Sequence, residues 1–199
     1  MLFKKKTRFE IADGLIKEEI TDGNVALVKL NIKYPDIKCK ERDPLSHNAV
    51  GFYKRVAENL AYYSKSDLLA AARTERAKNA DTFMPYSVCM RYGVTYLSDE
   101  YLSILLEISV SDGTGVPMTE KKAQVWERKF GTKCKPTYFM SKSELDKRIS
   151  DILPSEYKSR PCTDNFILRE RGYEFFIENG KSVVIKYEES DEKNLLKIM

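Results

Sequence analysis

Histidine is nearly missing from this 199-residue chain, with His47 its single copy. The four cysteines, Cys39, Cys89, Cys134 and Cys162, form no Cys-x-x-Cys pair. Together these shortages leave no ligand set at zinc-site spacing, and no metal or cofactor is expected. Long apolar runs are also lacking: none approaches the roughly 20 residues of a membrane helix. The basic start Lys4-Lys5-Lys6 is followed by Thr7-Arg8-Phe9-Glu10 where an export signal needs apolar residues, so the chain as written reads as cytoplasmic with free thiols. Three disulfide pairings stay open by count alone. Charge of one sign is not in excess either, since 34 Lys+Arg face 30 Asp+Glu and the two are interleaved. A nucleic-acid binder segregates its cations, so no nucleic-acid partner is expected.

What is present suits a globular chain. Hydrophobic residues make up 42%, too many for disorder, and the nine glycines and seven prolines fall at scattered breaks. The first third reads as a strand meander over 7–34. Thr7–Ile11 leads to Asp13-Gly14, Leu15–Ile20 leads to Asp22-Gly23-Asn24, and Val25–Tyr34 alternates until Pro35. Asp-Gly between short apolar runs is a hairpin signal, because glycine accepts the positive φ of a primed turn. Asp43 as cap and Pro44 at the first helical position then open a helix to about Asn79. Tyr53, Val56, Leu60 and Tyr63 form its stripe, which resumes, shifted, at Leu68, Leu69, Ala71 and Ala72. Ser64, Ser66 and Asp67 between them mark a slip or a kink.

The middle of the chain is cleanest. Tyr86, Val88, Met90, Tyr92, Val94 and Tyr96 alternate with Ser87, Cys89, Arg91, Gly93 and Thr95. Leu102, Ile104, Leu106, Ile108 and Val110 alternate with Ser103, Leu105, Glu107, Ser109 and Ser111. Period two predicts an antiparallel pair with one buried face, and Tyr92 and Tyr96 are expected to face the long helix. A third strand over Lys121–Phe130 turns at Gly131-Thr132 toward Lys133–Met140. A second helix near residues 141–153 follows, capped by Ser141 or Ser143 and ending before Pro154. Asn165–Leu168, Tyr173–Ile177 and Val183–Tyr187 close the chain, the last two across Asn179-Gly180. The expected class is α+β: antiparallel sheet with one long helix packed on it, in a single domain over 1–199 whose main sheet and helices span 43–187.

Few residues offer chemistry. His47 lies beside Ser46 in a first helical turn, where adjacent residues do not face each other, and it reads as a surface residue. The loop Asp112-Gly113-Thr114-Gly115 can present amides to an anion, yet it joins two strands instead of opening a helix and reads better as a turn. Glu107 and Glu127 are the carboxylates that neighbouring strands could pair for acid–base work. Tyr101 and Trp126 lie on uncertain strand faces. Exposed, they would be interface or sugar-binding anchors; large aromatics are more often core.

Four segments carry a resemblance: Tyr92-Gly93-Val94-Thr95-Tyr96-Leu97, Tyr101-Leu102-Ser103-Ile104, Gln124-Val125-Trp126-Glu127 and Asn165-Phe166-Ile167-Leu168-Arg169-Glu170-Arg171-Gly172-Tyr173-Glu174-Phe175. In this order, from about Ile32 to Tyr187, the chain resembles the extracytoplasmic domain of RsiV-type anti-sigma factors, also found beside peptidoglycan deacetylase domains. The resemblance implies a helix on an antiparallel sheet and a non-catalytic binding role, lysozyme sensing in the best-known relative. The family's Gly-Gly-Ala-His-like loop is Ser111-Asp112-Gly113-Thr114-Gly115-Val116 here, without His. The expected partner is therefore a protein or, as the alternative, a cell-wall glycan. The binding candidates are Tyr101, Trp126, Asp112, Gly113, Thr114 and Gly115, and an enzyme using strand carboxylates is the third reading.

Overall fold

Gly23 adopts φ 59° between strands β1 (Phe9–Asp22) and β2 (Val25–Cys39), so the second Asp-Gly turn forms as its chemistry demands. These elements belong to a computed structural model that describes residues 9–39, 44–153, 164–176 and 182–188. The first Asp-Gly does not turn the chain. Gly14 lies inside β1 opposite Tyr34, whose ring occupies the place a Cβ would take. The glycine makes room for an aromatic ring, and the expected three-strand meander is one long hairpin. Pro35 does not end β2 either. Pairing of β2 with its second neighbour stops at Ile32, so beyond it one edge is free and a missing amide is tolerated.

Beyond the hairpin the chain climbs α1 (Pro44–Tyr63), a π-helical turn (Ser64–Leu68) and α2 (Leu69–Lys78). Asp43, the expected cap, lies outside the described residues. The helix returns the chain to β3 (Tyr86–Leu97), which pairs parallel to β2 from Val28↔Tyr86 to Ile32↔Met90. This ladder departs from the otherwise antiparallel pattern, and a long helical crossover is what a parallel neighbour requires. Strands β4 (Tyr101–Ser111), β5 (Met118–Glu127) and the two-residue β6 (Thr132–Lys133) complete a sheet in the order β1–β2–β3–β4–β5–β6. Glu127 ends β5 earlier than the pattern predicts, because its carboxylate accepts the amides of Lys129 and Phe130 at 3.0 Å each and bends the chain there. A 3₁₀ turn (Pro136–Tyr138) replaces the extension expected to Met140. Ser141 then caps α3 (Lys142–Ile152) by accepting the Glu144 amide. A second sheet, β7 (Phe166–Arg169), β8 (Gly172–Phe176) and β9 (Ser182–Lys186), is antiparallel throughout. The Asn179-Gly180 turn lies outside the described residues.

The helix contacts the sheet along Leu45, Ala49, Tyr53, Ala57 and Ala61, all buried, and then along Ser64, Leu68 and Ala72. Val56 and Leu60 are half-buried and Tyr63 is exposed, so the stripe read from the large side chains is rotated from the true one. Steps of four drift by about 40° around a 3.6-residue helix, and the π turn resets that drift near Ser66. Two clusters result on this face. Leu45, Ala49 and Tyr53 meet Ile37, Leu102, Ile104, Leu106 and Trp126. Ala57, Ala61, Leu68 and Ala72 meet Leu27, Val28, Leu30, Ile32, Val88, Met90 and Ile108.

The Trp126 indole Nε1–H donates to the buried Tyr53 hydroxyl at 2.8 Å, with Phe52 edge-on at 5.7 Å. Burial raises the Tyr53 phenol far above its ordinary value. Replacing Trp126→Phe leaves that hydroxyl without its donor and should cost about 1–3 kcal/mol by urea unfolding. The double variant Tyr53→Phe/Trp126→Phe should lose less than the two single losses combined. Strictly additive losses would show that the hydrogen bond contributes nothing.

Candidate binding groove on the open sheet face

Strands β3, β4 and β5 alternate, so the face opposite the helix carries Cys89, Arg91, Tyr101, Ser103, Leu105, Glu107, Ser109, Lys121, Ala123, Val125 and Glu127. The expectation of one buried face and one solvated face holds for only half of its length. At one end the second sheet lies over it. Leu105 and Ala123 pack on Ile167 and Phe176, and Tyr101 and Val125 join Phe139, Phe166, Leu168, Tyr173 and Phe175. Ser103, fully buried, accepts the Leu168 amide at 3.0 Å and bonds Thr95 at 2.8 Å. A bulge between Val94 and Tyr96 reverses the face of β3, so Tyr96 packs into this second core rather than under the helix. Tyr92, ahead of the bulge, keeps the helix-side cluster as expected.

The other end stays open. Past Ile32↔Met90, strands β2 and β3 separate, and Asp13, Asn31, Lys33, Cys89, Met90, Arg91 and Tyr92 line a groove of about 560 Å³. Asp13 gathers one wall: it accepts from Lys33 Nζ at 2.9 Å and from the Tyr92 hydroxyl at 2.9 Å. Arg91 lines the other side, and behind it on the same face Glu107 accepts from Arg91 Nε at 2.7 Å and lies 3.9 Å from Lys121 Nζ. Lys121 also reaches over the Phe176 ring, 5.5 Å from its centre, where the second sheet ends. Ser109 and Thr119 share a hydroxyl hydrogen bond of 2.9 Å farther along the same face.

The candidates from sequence are placed elsewhere. Tyr101 is 1% exposed under the second sheet, and Trp126 is 3% exposed under the helix, so both belong to the core. In the β4–β5 loop Gly113 has φ +80° and lies against Met84, leaving no room for a Cβ. Its amide binds Ser111 Oγ, while the Thr114 amide and hydroxyl both bind Asp112 Oδ1 at 3.0 and 2.7 Å. Two of the loop's amides are thus taken by its own side chains, and the Asp112 carboxyl is held below its ordinary value by those bonds. Gly115 is exposed. Glu107 and Glu127 do not form a pair: Glu107 sits opposite Lys121 and Glu127 opposite Tyr101, six positions along the ladder and roughly 20 Å away. The buried Glu127 carboxylate serves a turn. His47 is exposed in the first turns of α1. Among the described residues no group of three or more His, Cys, Asp or Glu gathers to hold a metal, and no helix is long and apolar enough to cross a membrane.

Among solved structures, one neighbour is a member of the DUF3298 family from Bacteroides fragilis, with TM-score 0.58, 14% identity, and coverage of 96% of this chain and 92% of that one. Another is a DUF3298 protein from Pseudomonas aeruginosa, with TM-score 0.55, 11% identity, and coverage of 96% and 94%. The fold is shared with DUF3298 proteins. No family profile matches the sequence, and no curated protein matches it. At these identities the likeness is one of architecture, and it spans both chains nearly end to end.

Two titrations report on the groove. Asp13 is held below the usual carboxylate range, first by its bond from Lys33 and then by that from Tyr92. Its contribution to stability is present above the unfolded value near 3.9 and is lost as pH falls through the folded one. Tyr92 is pushed up to about 12, first by burial and then by Asp13, so its contribution is complete below about 10 and is lost as pH rises toward 12. In Asp13→Asn the Tyr92 midpoint, followed by tyrosine ¹³Cζ NMR, should fall from about 12 yet stay above 10, because burial remains. An unchanged midpoint would rule out the Asp13 contribution.

The thiols give a second test. Cys134 is buried and pushed up to about 12, by burial first and by Glu127 second, whereas Cys89 is half-buried in the groove. Iodoacetamide at pH 8 should modify Cys89 in the folded protein and Cys134 only on unfolding, as read by peptide mass spectrometry. Equal rates would contradict the groove's exposure.

Proposed function

We propose that the chain is a non-catalytic binding module that recognises a protein partner through the groove between β2 and β3. The observation that carries this reading is the pair of charged walls. Asp13 with Lys33 and the neutral Tyr92 hydroxyl lies on one side and Arg91 on the other, and Glu107 and Lys121 on the adjoining strands extend the alternation of charge and hold Arg91 before any partner arrives. Preorganised charges of both signs suit the complementary polar surface of a folded protein and reduce the ordering cost of binding. The glycan alternative draws on exposed aromatic platforms, and the two aromatics that sequence offered for one are core residues. Tyr92, the aromatic side chain of the groove, spends its hydroxyl on Asp13 and Ala12. The enzymatic alternative drew on a Glu107–Glu127 pair, which the ladder separates. The resemblance to RsiV-type domains, whose best-known relative senses lysozyme, makes lysozyme the first partner to test, and the fold shared with DUF3298 proteins is compatible with that choice.

Titration of the ¹⁵N-labelled protein with lysozyme, and separately with a muropeptide, distinguishes these readings. Protein recognition predicts saturable shifts at Asn31, Lys33, Cys89 and Arg91 with lysozyme, abolished in Arg91→Glu. Shifts at those residues with the muropeptide alone would select the glycan reading. Shifts confined to residues outside the groove would remove it as the binding site.

A further inference from the structure

The two outer edges of the large sheet are treated differently. At the β5 edge the Asn165 side chain imitates a strand, accepting the Ala123 amide at 2.7 Å and donating to the Lys121 carbonyl at 3.0 Å. The Cys134 amide takes the Val125 carbonyl at 2.8 Å, and β6 pairs with Trp126 and Glu127. That edge is closed from Lys121 onward. The outer edge of β1 has no such cover among the described residues, and this strand of 14 residues contains no proline. An open edge of that length is a row of unpaired amides and carbonyls ready to take another strand.

The charges of β1 indicate what that strand is. A closed pair of identical edges is antiparallel about a two-fold axis normal to the sheet, so each residue faces a partner related through one central position. Registers pairing more than ten residues centre on Gly14, Leu15, Ile16 or Lys17. Centring on Gly14 sets Glu10 against Glu18, on Ile16 sets Glu19 against Asp13, and on Lys17 sets that lysine against itself. Like charges directly opposite are destabilising. Centring on Leu15 alone avoids them, and it places Lys17 opposite Asp13 twice. It also puts Leu15, 52% exposed in the single chain, against its own copy. On the reverse face Ile16 then meets Gly14, with the Tyr34 ring over that glycine as an apolar neighbour. Lys17 is the one cation of β1; Asp13, Glu18, Glu19 and Asp22 already have Lys33, Lys65, Lys29 and Arg76 within 4 Å.

We propose that two copies of this chain associate edge to edge through β1, in the antiparallel register centred on Leu15, to form one continuous twelve-stranded sheet from the two six-stranded ones. The edge meets the groove between β2 and β3 at Asp13, which belongs to both, while Leu15, Lys17 and Glu19, the positions varied below, lie outside the groove lining.

Light scattering coupled to size exclusion should give twice the 23.0 kDa chain mass at micromolar concentration. Lys17→Glu, which places acid against Asp13 on both sides of the axis, should return a monomer with unchanged circular dichroism. Leu15→Cys should cross-link under mild oxidation, with the disulfide-linked pair of β1 peptides identified by mass spectrometry, while Glu19→Cys, which faces Ile11, should not. A monomeric wild-type protein up to hundreds of micromolar overturns the proposal. So does a dimer that persists in Lys17→Glu, or cross-linking by Glu19→Cys in place of Leu15→Cys.

Discussion

The architecture rests on a helix that can lie close against a sheet because its contact line is made of small residues. Ala49, Ala57, Ala61 and Ala72 are all buried, and between them only Leu45, Tyr53 and Leu68 carry bulk. Alanine brings the backbone near the strands, so the sheet supplies the large side chains: Leu30, Ile32, Met90, Leu102, Ile104 and Leu106. A helix on a twisted sheet cannot keep one straight stripe in contact over this length. The π turn at Ser64–Leu68 absorbs the mismatch, and the Ser64 hydroxyl, bonded to the Leu60 carbonyl at 2.7 Å, keeps a buried polar group satisfied at that point.

With one face sealed by the helix, everything distinctive about the molecule happens on the other. The second sheet covers β4 and β5 only as far as Leu105 and Ala123, and from Glu107 and Lys121 outward the same strands meet water. The change from Ser103 and Leu105 to Glu107 and Ser109 along one strand is the chemical form of that boundary. Separation of β2 from β3 deepens the open end into a groove, and its walls are held by ion pairs at half-exposed sites. Such pairs add little to stability in water, so their value lies in orienting charge before binding.

Much of the fold was legible from residue order. Period-two alternation places β3 and β4, a cap at Ser141 or Ser143 places the start of α3, and the polar triplet near Ser66 marks a slip or kink that the structure realises as a π turn. The misreadings share a physical origin. Gly14 looked like a turn because local pattern cannot show that Tyr34, twenty residues away, needs the space. The stripe of large residues meets the true contact line at Tyr53 and Leu68 but leaves it at Val56, Leu60 and Tyr63, because large apolar residues dominate a hydrophobicity reading whereas close packing selects the alanines. For Trp126 and Tyr101 residue type favours core, but which of two cores each one enters does not show in sequence, since which cover lies over which half of a face is a long-range fact. The groove was least legible of all. Asp13, Lys33, Arg91 and Tyr92 come from three strands and share no motif.

What this chain's residues determine alone is local: alternating strands, capped helices, the Gly23 turn, and the shortage of histidine that leaves no classical ligand set. Tertiary structure decided the parallel placement of β2 beside β3, the division of one sheet face into a buried half and an open half, and the meeting of charges at Asp13 and Glu107. Local propensities act over a few residues, where neighbours in sequence are neighbours in space. A surface site depends on how far each cover extends and where two strands part, and those are set by the packing of the whole chain.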